Sequence, residues 1–210
     1  MFKLFYFNPL RECTYVLSDG SGQCVIIDPG ASGAREHERL VRYISSGGLS
    51  VKAILLTHGH FDHILGLTPA AEQWPVPVYM SPRDRAVFDS AEEICTALGL
   101  IYTPYGGEIR PLEAGPLEVL GGVHIEVIEV PGHTPGCVCF YLPEEGLLFS
   151  GDTIFRGAVG RTDHFGGNHA QLLDSIRAGI LPLPAATRIL PGHGKETTIA
   201  EETATNPFLQ

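Results

Sequence analysis

The sequence has little charge, and it is poorest in positive charge. Only 18% of its 210 residues are charged, and 14 lysines and arginines stand against 24 aspartates and glutamates, which gives a net charge of −10. No local cluster of basic residues offsets this acidic balance. Because a phosphate backbone would be repelled by such a chain, we expect no nucleic-acid partner.

Long apolar runs are also missing. The opening stretch MFKLFYFNPL, residues 1–10, is too short and too soon interrupted to span a bilayer, and no small-residue cleavage site follows it. We therefore expect neither a signal peptide nor a membrane association. No Ser/Gly linker or low-complexity tract divides the chain, so the sequence predicts a single domain over residues 1–210.

The five cysteines contain no CxxC pair. This pattern disfavours a thiolate zinc site and predicts buried, reduced thiols in a cytoplasmic protein. With 44% hydrophobic residues, the chain has ample material for a buried core.

The apolar patterning predicts a mixed α/β protein in which strands and helices alternate. Two strand-rich halves are each bracketed by helices, which indicates sheets in the middle and helices outside. One of the helices is predicted to begin at Ser81 as the cap, with Pro82 in the first position and Asp84 three residues after the cap. Strands are predicted at 2–8, 13–18, 23–28, 51–57, 75–80, 121–130, 137–143, 146–151 and 187–192, and helices at 35–46, 63–74, 81–100 and 169–181.

The stretch THGHFDH, residues 57–63, places three histidines and an aspartate directly after an apolar strand. Imidazoles and carboxylates are costly to remove from water, so a cluster of this kind needs either solvent or a bound cation. Three further apolar strands also run into a potential ligand, and glycines beside these ligands allow the turning backbone to approach closely. The candidate ligands are His58, His60, Asp62, His63, His133, Asp152 and His193.

Seven ligands are too many for one tetrahedral zinc ion, but they suit two divalent ions. One site would contain three histidines, namely His58, His60 and His133. The other would contain Asp62, His63 and His193, and the Asp152 carboxylate would bridge the two sites. Nitrogen and carboxylate ligands without thiolate suit zinc and also admit iron or manganese.

These motifs resemble those of the metallo-β-lactamase superfamily. The resemblance is carried by HGHFDH, by PGHTPG around His133, by SGDT around Asp152 and by LPGHG around His193, and it covers nearly the whole chain in order. It implies a four-layer αββα sandwich with a dinuclear site at one edge of the two sheets. It tells against a true β-lactamase, because the zinc β-lactamases compared commonly have cysteine or serine at the Asp152 position.

Within that superfamily the sequence is most similar to the glyoxalase II group, the hydroxyacylglutathione hydrolases, in their short single-domain form. This similarity rests on GAVGRTDHFGG after Asp152 and on GHGKETTI with TNPF near the end. The chain departs from full-length glyoxalase II in having HGK where those enzymes have HEYT with a substrate-contacting tyrosine. It also stops about where their helical C-terminal domain would begin, so weak use of glutathione is expected.

The resemblance thus implies a metal-dependent hydrolase of thioesters such as S-lactoylglutathione. Two ions sharing a water would lower its pKa, and the hydroxide would attack the thioester carbonyl. Asp62 and Asp152 would position the hydroxide, with Asp62 accepting its proton. A mononuclear-iron persulfide dioxygenase, similar in HTPGC and GRTD, is the alternative, and a lactonase is a second one. A protein that uses the fold only to bind a metal or a partner would be expected to have a broken ligand set.

The sequence also predicts substrate-binding, supporting or surface roles for other residues near the motifs. Arg161 is predicted either to bind a substrate carboxylate or to pair with Asp163. Thr57 and Asp28 are expected to support a ligand histidine, with an Asx turn as the alternative for Asp28. The remaining histidines have no partner at ligand spacing and are predicted to be surface or capping residues: His37, His124, His164 and His169. Oligomeric state is not indicated by the sequence.

Overall fold

The computed structural model describes residues 1–210 and contains two six-stranded sheets and a two-stranded ribbon. The first sheet runs in chain order as β1 (Phe2–Phe7), β2 (Glu12–Ser18), β3 (Gln23–Ile27), β4 (Ser50–Leu55), β5 (Val78–Met80) and β6 (Ile109–Pro111). The second sheet contains β7 (Gly115–Leu117), β8 (Ile125–Glu129), β9 (Val138–Leu142), β10 (Leu147–Gly151), β13 (Arg188–Pro191) and β14 (Thr197–Thr198). Strands β11 (Ile154–Phe155) and β12 (Ala158–Val159) form the ribbon.

Helices cover the outer faces of the two sheets. They are α1 (Ala34–Ser46), α2 (Phe61–Ile64), α3 (Leu67–Gln73), α4 (Arg85–Asp89), α5 (Ala91–Leu98), α6 (His169–Ser175) and α7 (Ile199–Thr205), and a π-helical turn over Ile176–Ile180 continues α6. No helix in the structure combines the length and the apolar character needed to cross a membrane.

Alternation along the strands produces the four layers. In β3, Val25 and Ile27 pack into the cluster between the sheets, whereas Cys24 and Ile26 pack outward with Leu40 of α1. The second sheet repeats this arrangement, since its outward side chains pack against α6 and the turn that follows it. Both faces of each sheet are therefore buried, and the expected αββα sandwich is confirmed.

Strand direction brings the ends of four strands together. Strand β9 is antiparallel to both β8 and β10, and β10 is parallel to β13, so β8, β10 and β13 end at the same edge of the second sheet. A candidate ligand follows each of these ends, and the cluster at 58–63 follows β4 of the first sheet. The candidate ligands therefore lie at strand ends, where the sequence predicts them.

Two predicted helices are broken in the structure. The helix expected over 63–74 is divided into α2 and α3 at Gly66, whose backbone lies so close to Pro29 and Ala31 that an added Cβ would be 2.8 Å from the Pro29 carbonyl oxygen. The helix expected over 81–100 is a 3-10 turn at Pro82–Asp84 followed by α4 and α5. Ser81 occupies the N-cap position and Pro82 follows it, as predicted, but the Ser81 side chain makes no capping bond.

All five cysteines are buried and carry free thiols. Cys137 and Cys139 both pack in the cluster between the second sheet and α6, which agrees with the predicted burial of the thiols.

Candidate metal centre

The seven predicted ligand side chains meet at one edge of the sandwich. Within each predicted triad the potential ligand atoms lie within 4.8 Å of one another. We call His58, His60 and His133 the first triad, and Asp62, His63 and His193 the second triad. Asp152 lies between them, because its carboxylate oxygens are 3.4 Å from His63 Nε2 and 3.7 Å from both His133 Nε2 and His193 Nε2.

Four of the five histidine rings are oriented by an oxygen on their outer side. His133 Nδ1 lies 2.7 Å from the Arg161 carbonyl oxygen, and His193 Nδ1 lies 3.2 Å from that of Leu10. A carbonyl can only accept, so Nδ1 carries a proton in both rings, and Nε2 faces the site, where that of His193 lies 3.1 Å from Asp62 Oδ2. His60 is the exception, because its Nδ1 faces the site, 2.9 Å from His133 Nε2.

The two most buried rings are oriented through Asp28. His63 Nδ1 donates to Asp28 Oδ2 at 3.0 Å, and Thr57 Oγ1 donates to the same oxygen at 2.6 Å. The Thr57 oxygen then accepts from His58 Nδ1, which lies 3.0 Å away. Thr57 and Asp28 therefore orient two of the candidate ligand histidines, as expected, and Thr57, which is 2% exposed, is not available to a substrate.

Asp28, His58 and His63 also lie close enough together to form a third metal-binding group. The Asp28 oxygens, however, are already used by the Thr57 backbone N–H at 2.7 Å, by the Thr57 hydroxyl and by His63. Asp28 thus has an orienting role rather than a ligand role.

Three buried polar atoms of this cluster have no hydrogen-bond partner: His58 Nε2, His63 Nε2 and Asp152 Oδ1. Buried polar atoms are almost always paired, and a cation bound between these three converging atoms would satisfy all of them. The residues present therefore fit divalent ions, with imidazole nitrogens and carboxylates as the donor set.

Two glycines permit the approach of the ligand strands. A Cβ on Gly192 would collide with Asp152 Oδ1 and would lie 2.7 Å from the His63 ring. Gly151 has a φ of 47°, and a Cβ there would collide with Thr57 Oγ1. Larger residues at these positions would push the ligands apart.

The two triads differ in their electrostatics. Burial and the neighbouring histidines lower the pKa of His58 well below its ordinary value, and burial together with His133 lowers the pKa of His60 to about 3. In the second triad, burial opposes the charge of His63, but the Asp152 and Asp62 carboxylates raise its pKa well above the ordinary value. Burial also disfavours the ionised form of Asp152. The charge of His63 has a larger, opposite effect, so the pKa of the Asp152 carboxyl is lowered.

Asp84 is a site residue that the sequence interpretation missed. It is fully buried, and its carboxylate accepts from the backbone N–H groups of Gly59 at 2.7 Å and Gly136 at 2.6 Å and from the Thr134 hydroxyl at 2.8 Å. It therefore ties the loop that carries His58 and His60 to the loop that carries His133. Its position beside Ser81 and Pro82 looked like a helix cap, so no local signal indicated this long-range role.

An open cavity of about 480 Å³ gives access to the metal centre. Members of both triads and Asp152 line it, and its other lining residues are Leu10, Phe61, Ile94, Phe155, Val159, Arg161 and His164. The Arg161 side chain forms two hydrogen bonds with Asp163, at 2.9 and 3.1 Å, and is 78% exposed. The predicted Asp163 pair is thus present at the rim of the cavity.

The prediction that His164 is a surface or capping residue was wrong. Its ring packs edge-on against His60 and His133, with ring centroids 4.6 and 4.8 Å away. His169, by contrast, is exposed and does not line the cavity, as expected. The folded loop brings His164 inward, which spacing along the sequence did not show.

A model of the metallo-beta-lactamase superfamily matches residues 9–193. The chain belongs to the metallo-beta-lactamase superfamily. Membership implies divalent metal binding, consistent with the unpartnered polar atoms. A Bacillus subtilis (strain 168) protein named "probable metallo-hydrolase YqgX" is 39% identical over 204 residues, covering 96% of this chain and 94% of that protein. The Haemophilus influenzae (strain ATCC 51907 / DSM 11121 / KW20 / Rd) protein named hydroxyacylglutathione hydrolase GloC is 36% identical, covering 95% and 92%.

Solved structures show the same superfamily fold. TTHA1623 in a di-iron-bound form superposes with a TM-score of 0.89 at 40% identity, covering 99% of this chain and 100% of that chain. BLEG-1, described as a B3 metallo-beta-lactamase, also has a TM-score of 0.89, at 37% identity and with complete coverage of both chains.

Proposed function

We propose that this superfamily member is a metal-dependent hydrolase that cleaves thioesters of the hydroxyacylglutathione type. The observation that carries the proposal is the convergence of two triads and Asp152 at an open cavity, with three buried polar atoms unpartnered. The relative named as a hydroxyacylglutathione hydrolase, which aligns along nearly the whole chain, supports the thioester class.

Two divalent ions are proposed at the centre, held by the first triad and the second triad and bridged by Asp152. Zinc suits this donor set best, and iron and manganese are also compatible with it. The di-iron form of a structural neighbour supports a two-metal arrangement. When bound, the ions would supply an activated water and polarise the substrate carbonyl.

The residues of the chain would orient the reactants. Burial opposes the charge of Asp62, but His63 and the bond from His193 lower the pKa of its carboxyl, so Asp62 is ionised at neutral pH. Its carboxylate lines the cavity and can accept a hydrogen bond and a proton from an attacking water. Asp152 keeps the two triads together, and Arg161 at the rim can meet a substrate carboxylate.

A covalent route through cysteine is disfavoured by the structure. All five thiols are buried, and none lines the cavity. Burial raises the pKa of the Cys13 and Cys139 thiols to about 12, which keeps them protonated.

A thioester suits attack by water, because its thiolate leaving group needs little assistance. Buried free thiols also favour a reducing compartment, so we propose a cytoplasmic location.

The test combines metal analysis with three assays on protein purified without added metal. We expect two metal ions per chain and hydrolysis of S-lactoylglutathione that a chelator abolishes and zinc restores. Because Arg161 is the single cation lining the cavity, we expect weak saturation by this anionic substrate. One iron per chain with oxygen uptake on glutathione persulfide would instead identify a dioxygenase. If the chromogenic β-lactam nitrocefin were cleaved faster than S-lactoylglutathione, the result would favour β-lactam hydrolysis, the activity for which BLEG-1 is described.

A further inference from the structure

His164 lies over the first triad but differs from its members. Its Nε2 is 3.3 Å from His133 Nδ1, on the outer side of that ring and away from the nitrogen that faces the metal centre. His164 is half-buried and lines the same cavity as His60, His133 and Asp152. It is therefore next to the proposed reaction site without being one of the seven converging groups.

The ring nitrogens of His164 make no strong bond within the protein. His133 already donates its Nδ1–H to the Arg161 carbonyl at 2.7 Å, so its longer contact with His164 is secondary. The other nitrogen, Nδ1, is 3.4 Å from the Phe165 carbonyl oxygen, outside the usual range of 2.7–3.2 Å. One N–H donor of the imidazole is thus left for a ligand.

The loop holds this ring in place through its backbone. The His164 carbonyl oxygen accepts from Gly167 N–H at 3.0 Å, and the next residue, Asn168, donates from its N–H to Gly132 at 2.7 Å. Gly166 lies against the Pro135 ring, so closely that a Cβ there would be 2.8 Å from it. His164 is therefore presented from a fixed turn.

The remaining wall of the cavity offers few polar alternatives. Outside the seven converging residues it contains five apolar side chains, together with Arg161 and His164. Arg161 already forms two hydrogen bonds with Asp163. His164 is accordingly the polar group with hydrogen-bonding capacity to spare.

We propose that His164 is a substrate-binding residue that donates a hydrogen bond to an oxygen of the acyl group beside the first triad. The inference rests on the proposed thioesterase function and extends it to acyl specificity. Every acyl group offers its carbonyl oxygen to this donor, and a hydroxyacyl group offers a second oxygen. A contact with the hydroxyl would favour hydroxyacyl substrates, since an apolar wall with one donor discriminates by that hydrogen bond.

Two variants and two substrates test the proposal. His164→Phe keeps an aromatic ring and removes the N–H, whereas His164→Gln keeps an N–H donor. S-lactoylglutathione and S-propionylglutathione differ by one hydroxyl group. We expect His164→Phe to lower kcat/KM for the lactoyl substrate by roughly 3- to 10-fold, the range for a neutral hydrogen bond, and His164→Gln to recover most of the loss. An equal fall on both substrates indicates a bond to the carbonyl oxygen, and a fall on the lactoyl substrate alone indicates a bond to the hydroxyl.

Metal content and melting temperature are measured on every variant, and both should match the wild type. His169→Phe is the matched control, because His169 is exposed and lies outside the cavity. The proposal is overturned if His164→Phe retains wild-type kcat/KM on both substrates, or if His164→Gln is as impaired as His164→Phe.

Failure of the proposed function would be visible separately, as wild-type protein that cleaves neither thioester. In that case the role of His164 is decided by calorimetric binding of lactate and propionate to the zinc-loaded protein. Weaker binding of lactate by His164→Phe than by wild type supports the contact, and equal binding rejects it.

Discussion

The two triads of the metal centre are held by different kinds of support. On the first triad, the Asp84 carboxylate accepts from the backbone N–H groups of Gly59 and Gly136, so it fixes the main chain on which the histidines are mounted. On the second triad, the Asp28 carboxylate accepts directly from the His63 ring, and through the Thr57 hydroxyl it also orients His58 of the first triad. The Asp84 support acts on the loops, whereas the Asp28 support acts mainly on the histidine rings.

This difference predicts separable consequences. A carboxylate that satisfies buried backbone donors contributes mainly to folding, because those donors lose their partners when it is removed. A carboxylate that fixes the tautomer of a ligand histidine contributes mainly to metal affinity. Substitutions at Asp84 and Asp28 should therefore be distinguished by measuring the free energy of unfolding and the metal affinity on the same variants.

The largest effect is expected at Asp152, the residue that both triads share. Asp152→Ala should lower the occupancy of both metal ions, since the carboxylate lies within 3.7 Å of histidines from each triad. The loss of activity should exceed the roughly 100-fold limit typical of residues that only support a ligand. Elemental analysis together with thioester kinetics measures both quantities.

Asp174→Ala provides the matched control, because that aspartate side chain is 81% exposed on α6. An Asp152→Ala protein that retained two ions and normal turnover would disprove the bridging role and leave the triads as independent sites.

The next effect is on stability, at Asp84. Asp84→Ala leaves three buried donors without a partner, at about 1–3 kcal/mol each. Burial raises the pKa of the Asp84 carboxyl, which shows that its charge is costly to bury and offsets part of this contribution. We expect a net loss of about 3–5 kcal/mol in the free energy of unfolding of the metal-free protein, measured in urea.

Asp84→Asn serves as the comparison, because its amide retains one acceptor oxygen and should lose less stability than the alanine variant. If Asp84→Ala weakened metal binding while the metal-free protein kept its stability, the separation drawn between the two supports would be wrong.

A third prediction concerns Asp28→Asn. The amide NH₂ would face His63 Nδ1, which would then have to accept, and the ring proton would move to Nε2, the nitrogen that faces the metal centre. Metal affinity at the second triad should fall by roughly 10- to 100-fold. Competition against a chromogenic chelator measures this fall, and an unchanged affinity would show that Asp28 does not control the tautomer.

The sequence was sufficient for the fold and for the seven converging residues because each of these groups directly follows an apolar strand. Strand ends at one edge of a sandwich are close together whatever the details of the connecting loops. Asp84 and His164 could not be found in this way, because their partners are distant in the sequence and depend on how two loops fold. The broken helix at Gly66 was missed for a related reason, since its cause is a tertiary contact with Pro29 and Ala31.

The smallest effect, expected at Arg161, separates main-chain support from side-chain function within one residue. The Arg161 carbonyl orients His133, and Arg161→Ala preserves that carbonyl, so the metal affinity of the first triad should not change. The side chain is 78% exposed and already paired with Asp163, so water screens any contact with a substrate carboxylate. We therefore expect KM for S-lactoylglutathione to rise by only roughly two- to five-fold, with kcat nearly unchanged, as for uniform binding. Asp163→Asn is the informative companion, because it frees the guanidinium and should lower KM by a similar factor. If KM stays constant in both variants, the Arg161 side chain takes no part in substrate binding, and its contribution to the centre is the main-chain carbonyl alone.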